Sequence, residues 1–329
     1  MNRIIKRFNV TLLILALAFG TILTGCGSKS SGGSSGSVKL FYSCGELDDF
    51  KTVLHDALIE SATSEGVTLD IGEPCKTVND QVEQLKQAST QGYDAIICLP
   101  IDRATCLQLE AVTNGLPIVF VNVQPDKDYL QANKYICVGS YEMNAGAYQA
   151  EYVWNALGNP TTLNAIIMRG ELTHNAAIQR SVSVKDFFKK NGVTVNYVFD
   201  DTANWSDTEA SNAFKVFLKT GQSVDAVFCN NDTMALGVIQ AMKDEGIDYK
   251  KIPVVGVDAT AAGCESIVNG EMQFTVYQSA KGQGESAIKS AKAILGEGTI
   301  KNIEGATEDC MYVWVPFEKV DASNVKDYQ

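Results

Sequence analysis

From Val38 onward, short apolar runs alternate with longer stretches whose apolar residues recur at helical spacing. Val38–Tyr42 predicts a strand, and Phe50, Val53, Leu54, Ala57 and Leu58 fall on one side of the helix that follows. Strands are further predicted at Gly66–Ile71, Asp94–Leu99 and Leu116–Asn122. Helices at Val78–Gln91 and through Leu107 and Val112 separate them. Runs such as Ala95-Ile-Ile-Cys-Leu99 lack polar alternation, which marks strands covered on both faces. The expected class is therefore α/β, with doubly wound parallel sheets.

The pattern then repeats. Gly45-Glu-Leu47 recurs as Gly170-Glu-Leu172, and Gly66-Val-Thr-Leu as Gly192-Val-Thr-Val, an offset of 126. Asp94-Ala-Ile-Ile-Cys returns as Asp225-Ala-Val-Phe-Cys at 131, and Leu116-Pro-Ile-Val-Phe-Val-Asn122 as Ile252-Pro-Val-Val-Gly-Val-Asp258 at 136. A slowly drifting offset is what loop insertions produce, so two similar lobes in tandem are expected.

Polar and aromatic residues gather where strands give way to helices, the place at which open α/β sheets bind ligands. Asp48 and Phe50 follow the first strand and Asn122 ends the fourth. His174 and Arg180 follow the first strand of the second half, and Trp205, Asn231, Asp258 and Gln278 follow or close its later ones. Each has a plainer reading. Asn231 suits a turn, with Asp232 as the expected helix cap; Asp258 competes with Thr260 for a capping role. Arg180 and His174 suit solvated positions as well as ligand contact, and Phe50 also fits its helix's core stripe. Trp205 lies among polar residues, which favours an exposed face. Together, two aromatic faces with amides, carboxylates and an arginine suit a polyhydroxylated ring.

Composition narrows the choices. The 329 residues carry a formal charge of −12, and −15 without Arg3, Lys6 and Arg7, which disfavours phosphate backbones as partners. Two histidines, His55 and His174, and no Cys-x-x-Cys pair leave zinc chemistry unsupported. Of nine cysteines, Cys98, Cys137 and Cys229 read as buried thiols. A Cys44–Cys75 bridge is geometrically open, and Cys264 and Cys310 are unassigned. Gly282-Gln-Gly284-Glu-Ser-Ala287 matches a loose dinucleotide-binding pattern but comes too near the end to head such a domain. At the other end, residues 1–25 read as a signal peptide, with an apolar run from Val10 to Leu23 too short to span a membrane. Residues 27–37 read as a Gly/Ser tether.

Leu23-Thr24-Gly25-Cys26 resembles a bacterial lipobox, which implies cleavage before Cys26 and acylation of its thiol. From Val38 the chain resembles the sugar-binding type I periplasmic binding proteins, particularly their galactose/glucose-binding branch. Gly170-Glu-Leu-Thr-His174-Asn-Ala-Ala-Ile-Gln-Arg180, Asp201-Thr-Ala-Asn-Trp205, Asn230-Asn-Asp-Thr-Met-Ala-Leu-Gly237, Gly256-Val-Asp258-Ala and Val119-Phe-Val-Asn122 carry the likeness. It implies a ring held between Phe50 and Trp205, with Asp48, Asn122, His174, Arg180, Asn231 and Asp258 pairing its hydroxyls. Ala176 stands where the family has an acidic ligand, and Gln278 replaces an asparagine. Ile178 in place of a second arginine argues against a pentose, and Asn155–Leu163 lacks the family's calcium loop, so no metal is expected.

The resemblance further implies lobes of residues 38–140 plus 279–311 and 141–278 plus 312–329, joined by crossings near Ser140, Gln278 and Tyr312. The expected function is a monomeric, lipid-anchored, extracytoplasmic substrate-binding protein of an ABC sugar importer, with no cofactor. Its ligand would be a monosaccharide, a hexose such as galactose or glucose, enclosed by hinge closure. The alternatives are a receptor-coupled sensor using the same cleft and an α/β enzyme acting on a small polar metabolite.

Overall fold

The computed structural model describes residues 37–329; the leader, Cys26 and most of the tether lie outside the described residues. The first five strands are β1 (Lys39–Ser43), β2 (Thr68–Ile71), β3 (Ala95–Cys98), β4 (Ile118–Val121) and β5 (Tyr135–Gly139). Helices α1 (Asp49–Ser64), α2 (Val78–Ala88) and α3 (Cys106–Val112) fall between them. After α4 (Glu142–Ala156) come β6 (Thr162–Arg169), α5 (Asn175–Lys190), β7 (Thr194–Thr202), α6 (Asp207–Leu218), β8 (Ala226–Cys229) and α7 (Asp232–Asp244). The chain closes with β9 (Val254–Val255), α8 (Ala261–Val268), β10 (Phe274–Gln278), α9 (Ala280–Glu297), β11 (Tyr312–Trp314) and β12 (Phe317–Asp321).

Two six-stranded sheets result, ordered β2-β1-β3-β4-β5-β11 and β7-β6-β8-β9-β10-β12. Both follow the doubly wound 2-1-3-4-5 order, so the duplicated sequence builds the same scaffold twice. All pairings are parallel except β10 with β12. The strands AIIC, IVFV and AVFC are buried at every position because helices cover both faces. In the first lobe α1 and α9 supply Leu54, Leu58, Ile288 and Ala291 to one face, and α2 and α3 supply Leu85 and Leu109 to the other. In the second, α4 and α5 bring Val153 and Phe188, and α6 to α8 bring Phe214, Val238 and Ile267. Each such fully buried side chain contributes about 1.5–3 kcal/mol relative to exposure.

The expected lobe boundary at Tyr312 is displaced. Tyr312 to Trp314 pair with Cys137 to Gly139, so they belong to the first sheet. Val315 still donates to Gly139 at 2.8 Å. The chain changes sheets at Pro316, which has no N–H to continue the ladder. The open disulfide question is also answered: Cys44, Cys75, Cys264 and Cys310 are free thiols. Gly45, not Cys44, is the bridge partner of Cys75. A one-residue offset turns the two thiols toward opposite faces, and Cys44 lies in the cluster under α1 and α9. Cys264 and Cys310 belong to the cores of different lobes.

Candidate functional site

Residues at strand ends of both sheets line one cavity of about 190 Å³. The first lobe contributes Asp48, Phe50 and Asn122, and the second His174, Arg180, Trp205, Asn231, Asp258 and Gln278. All nine residues singled out from the sequence meet there, joined by Asp49, Lys51, Ala176 and Thr233. Three of them hold left-handed backbone: Asn122 at φ 66°, Trp205 at φ 65° and Asp258 at φ 115°. Such strain is rare for non-glycine residues, least tolerable for a bulky one, and concentrates at ligand sites. Trp205 reaches the cavity because Gly170 has no Cβ, which would overlap the indole.

Arg180 is the centre of the polar wall. It is 3 % exposed, and Nε donates to Glu142 Oε2 at 2.6 Å, Nη1 to the Asn230 carbonyl at 2.6 Å and Nη2 to Gln278 Oε1 at 3.2 Å. Asp258 Oδ1 stands 3.8 Å from Nη1. A guanidinium has five N–H donors, so two remain after these bonds. Glu142, on α4 and fully covered, was not singled out from the sequence; its only signal there is an acidic residue at a helix start. Burial drives its pKa upward while Arg180 opposes the shift. Asp258 is likewise raised well above the usual carboxylate range, by burial first, with Arg180 pulling the other way.

Helix starts orient several of the remaining groups. His174 caps α5, its Nδ1 accepting from Ala176 N at 3.2 Å, which leaves the proton on Nε2. Burial, then the nearby Lys51, Arg180 and Arg103 charges, push its pKa down to about 3, so the ring is a neutral donor. It stands edge-on to Trp205, with ring centroids 5.2 Å apart. Trp205 is half-buried and its far side packs against the core cluster of α6 to α8, so it is less isolated than its polar sequence neighbours imply.

The turn after β8 corrects the sequence expectation. Asn231, not Asp232, caps α7, accepting from Met234 N at 3.0 Å and keeping its amide N–H₂ for the cavity. Asp232 is fully buried and accepts from Thr275 Oγ1 at 2.6 Å and Thr260 N at 2.8 Å, tying β10 to the loop before α8. Its neighbours in space, not its place in the chain, recruit it. Thr260 caps α8, which leaves Asp258 without a capping duty. Asp48 caps α1 through Lys51 N and forms an ion pair with Lys51 Nζ at 2.9 Å. Asn122 donates to Gln283 Oε1 at 3.4 Å, and Gln283 in turn donates to Ser140 at 3.3 Å, beside a lobe crossing.

The lobes also touch across the cleft. Gln124 N donates to Asn175 Oδ1 at 3.0 Å, Gln179 Nε2 to Gln124 Oε1 at 3.2 Å, and Thr233 Oγ1 approaches Asp49 Oδ2 at 3.4 Å. Two rigid sheets meeting around a polar cavity can enclose a small solute and exclude water.

The periplasmic binding protein domain family matches residues 44–299. The chain belongs to this family. A Rhizobium meliloti protein ascribed rhizopine binding is 31% identical over 287 residues, covering 86% of this chain and 89% of the relative. A D-galactose/methyl-galactoside binding periplasmic protein of Haemophilus influenzae is 25% identical over 264 residues, 76% and 78% of the two chains. The crystal structure of an ABC transporter solute binding protein from Bacillus halodurans with bound myo-inositol superposes with a TM-score of 0.78, at 31% identity over 90% of this chain and 98% of that one. A special closeness to the galactose/glucose branch, expected from the motifs, gains no support from these figures. This periplasmic binding protein is a solute binder, not an enzyme, as its relatives are.

Proposed function

We propose that this periplasmic binding protein captures a six-membered polyol ring between its lobes and delivers it to an ABC permease. The observation that carries this reading is a single cavity with an aromatic face from each lobe and a polar wall holding unused donors. A pyranose or cyclitol has apolar C–H faces for Phe50 and Trp205 and a rim of hydroxyls for the nitrogens of Arg180, His174 and Asn231 and the carboxylate of Asp258. The relatives described with rhizopine and myo-inositol favour a cyclitol. Galactose or glucose is the second choice, supported by the motif resemblance and by the galactoside-binding relative. Micromolar binding requires about −8 kcal/mol, and charge-assisted hydrogen bonds of about 1.5–3 kcal/mol each supply that alongside stacking. Anchoring through an acylated Cys26, and action as a monomer, belong to the same reading.

Thermal-shift and calorimetric titration of the full chain against inositols, hexoses, pentoses, polyols, nucleosides and amino acids tests it. Inositols or hexoses should raise the melting temperature most. A response confined to nucleosides or amino acids overturns the proposal.

A further inference from the structure

The chain passes between the sheets after β5, after β10 and after β11, and the first turns of α9 touch all three crossings. The helix begins directly after β10, where Ser279 caps it by accepting from Gly282 N at 3.0 Å. Gly282 lies against Val315, the residue before the chain changes sheets at Pro316; a Cβ there would stand 2.9 Å from Val315 Cγ1. Gln283 follows and is fully buried. Its Nε2 donates to Ser140 Oγ at 3.3 Å, at the crossing after β5, and its Oε1 accepts from Asn122 Nδ2 at 3.4 Å. Gln283 does not line the ring cavity, whereas Asn122 does.

The backbone of Asn122 is held separately, in the left-handed region at φ 66°, with its N–H donating to Val138 O at 2.9 Å. What remains to be set is the side-chain amide, which has a donor end and an acceptor end. Gln283 gives its own N–H₂ to Ser140 and presents its oxygen to Asn122, so the Nδ2 end of Asn122 turns to Gln283 and Oδ1 is left for the cavity. That acceptor has a use. The second lobe offers donors from Arg180, His174 and Asn231 and one free-standing carboxylate, Asp258, while every ring hydroxyl also has a proton to place. We infer that Gln283 is a positioning residue for ring binding: it holds the Asn122 amide with its oxygen toward the ligand and ties that contact to the lobe crossing at Ser140. The inference rests on the polyol reading and adds to it a residue that acts through another rather than by touching the ring.

A double-mutant cycle on the full chain tests it, read by calorimetry with myo-inositol and D-galactose. Gln283→Met keeps the length of the side chain and removes both hydrogen bonds; Asn122→Ala removes the group it is inferred to orient. Each alone should weaken the tighter-binding ring by about tenfold. Together they should be no more than about threefold weaker than Asn122→Ala alone, because the two residues act as one unit. Ser140→Ala frees the Gln283 amide to turn over without emptying the core. It should weaken binding in the wild-type background and not in the Asn122→Ala background, which keeps the test open where Gln283→Met fails to fold. A purely structural Gln283 would lower the melting temperature while its effect on affinity multiplied with that of Asn122→Ala. The positioning role is overturned by that result, or by Gln283→Met and Ser140→Ala both leaving affinity within about twofold of the wild type. A wild type that binds neither ring overturns the polyol reading itself, and the role of Gln283 with it.

Discussion

The turns after β3 and β8 occupy the same place in two copies of one scaffold, and they differ in kind. After Cys98 the first lobe has Leu99-Pro100-Ile101; after Cys229 the second has Asn230-Asn231-Asp232. The apolar turn is fastened by a neutral group: buried Gln81 donates to Leu99 O and accepts from Ile101 N, both at 3.0 Å. The polar turn is fastened by a charge, since Arg180 Nη1 holds Asn230 O, and the same side chain lines the cavity. Glu142, Arg180, Asp232 and Asp258 are all buried around the second turn. The comparison separates a lobe that shapes the cleft from one that supplies most of its chemistry. Buried ions are hard to justify for stability alone, because apolar packing serves as well or better. Their concentration in one copy of a duplicated fold points to ligand recognition.

Breaking the charged centre should have the largest effect. Arg180→Ala leaves Glu142 buried without its partner, and urea denaturation should show a loss of about 3–5 kcal/mol, with ligand binding abolished in calorimetry. Gln81→Ala in the first lobe strands two backbone groups. It should cost about 1–3 kcal/mol of stability and leave affinity unchanged, which sharpens the contrast between the lobes. Asp258→Asn preserves size and tolerance of left-handed backbone. It should reduce affinity about tenfold or more, as one oxygen acceptor is replaced by an amide donor, while the melting temperature changes little. Unchanged affinity would remove Asp258 from the site.

Near neutral pH the smallest effect comes from His174, whose contribution changes only in acid. The folded-state pKa of His174 lies near 3, below the unfolded value of about 6.5. Below the unfolded value the unfolded chain takes up a proton that the folded one refuses, so this contribution to stability is lost as pH falls from about 6.5 toward 3. His174→Gln should flatten that part of the stability profile. Ligand affinity should show no transition near 6.5, because the ring stays a neutral donor there.

Much of the scaffold was legible because buried parallel strands and two-faced helices leave periodic signals, and the repeat displays them twice. That all nine candidate residues line one cavity has a related reason: strand ends of this topology converge, so polar and aromatic side chains placed there meet. Three features were not legible. Glu142 reads only as an acidic residue at a helix start, since nothing in Tyr141-Glu142-Met143 marks a carboxylate that will pair with a residue 38 positions later. The roles of Asn231 and Asp232 were exchanged because either suits a cap, and only the hydroxyl of Thr275 and the backbone of Thr260 draw the aspartate inward. The third sheet crossing moved because β11 is too short to announce which neighbour it pairs with.

Sequence alone thus determined the α/β class, the duplication and the set of side chains offered to the cleft, because each follows from local periodicity and position along a strand. Tertiary structure decided which carboxylate pairs with Arg180, and which side chain of the β8–α7 turn caps and which is buried. Those outcomes depend on distances between residues far apart in the chain, set by the packing of two sheets and their helices, and no local pattern encodes them.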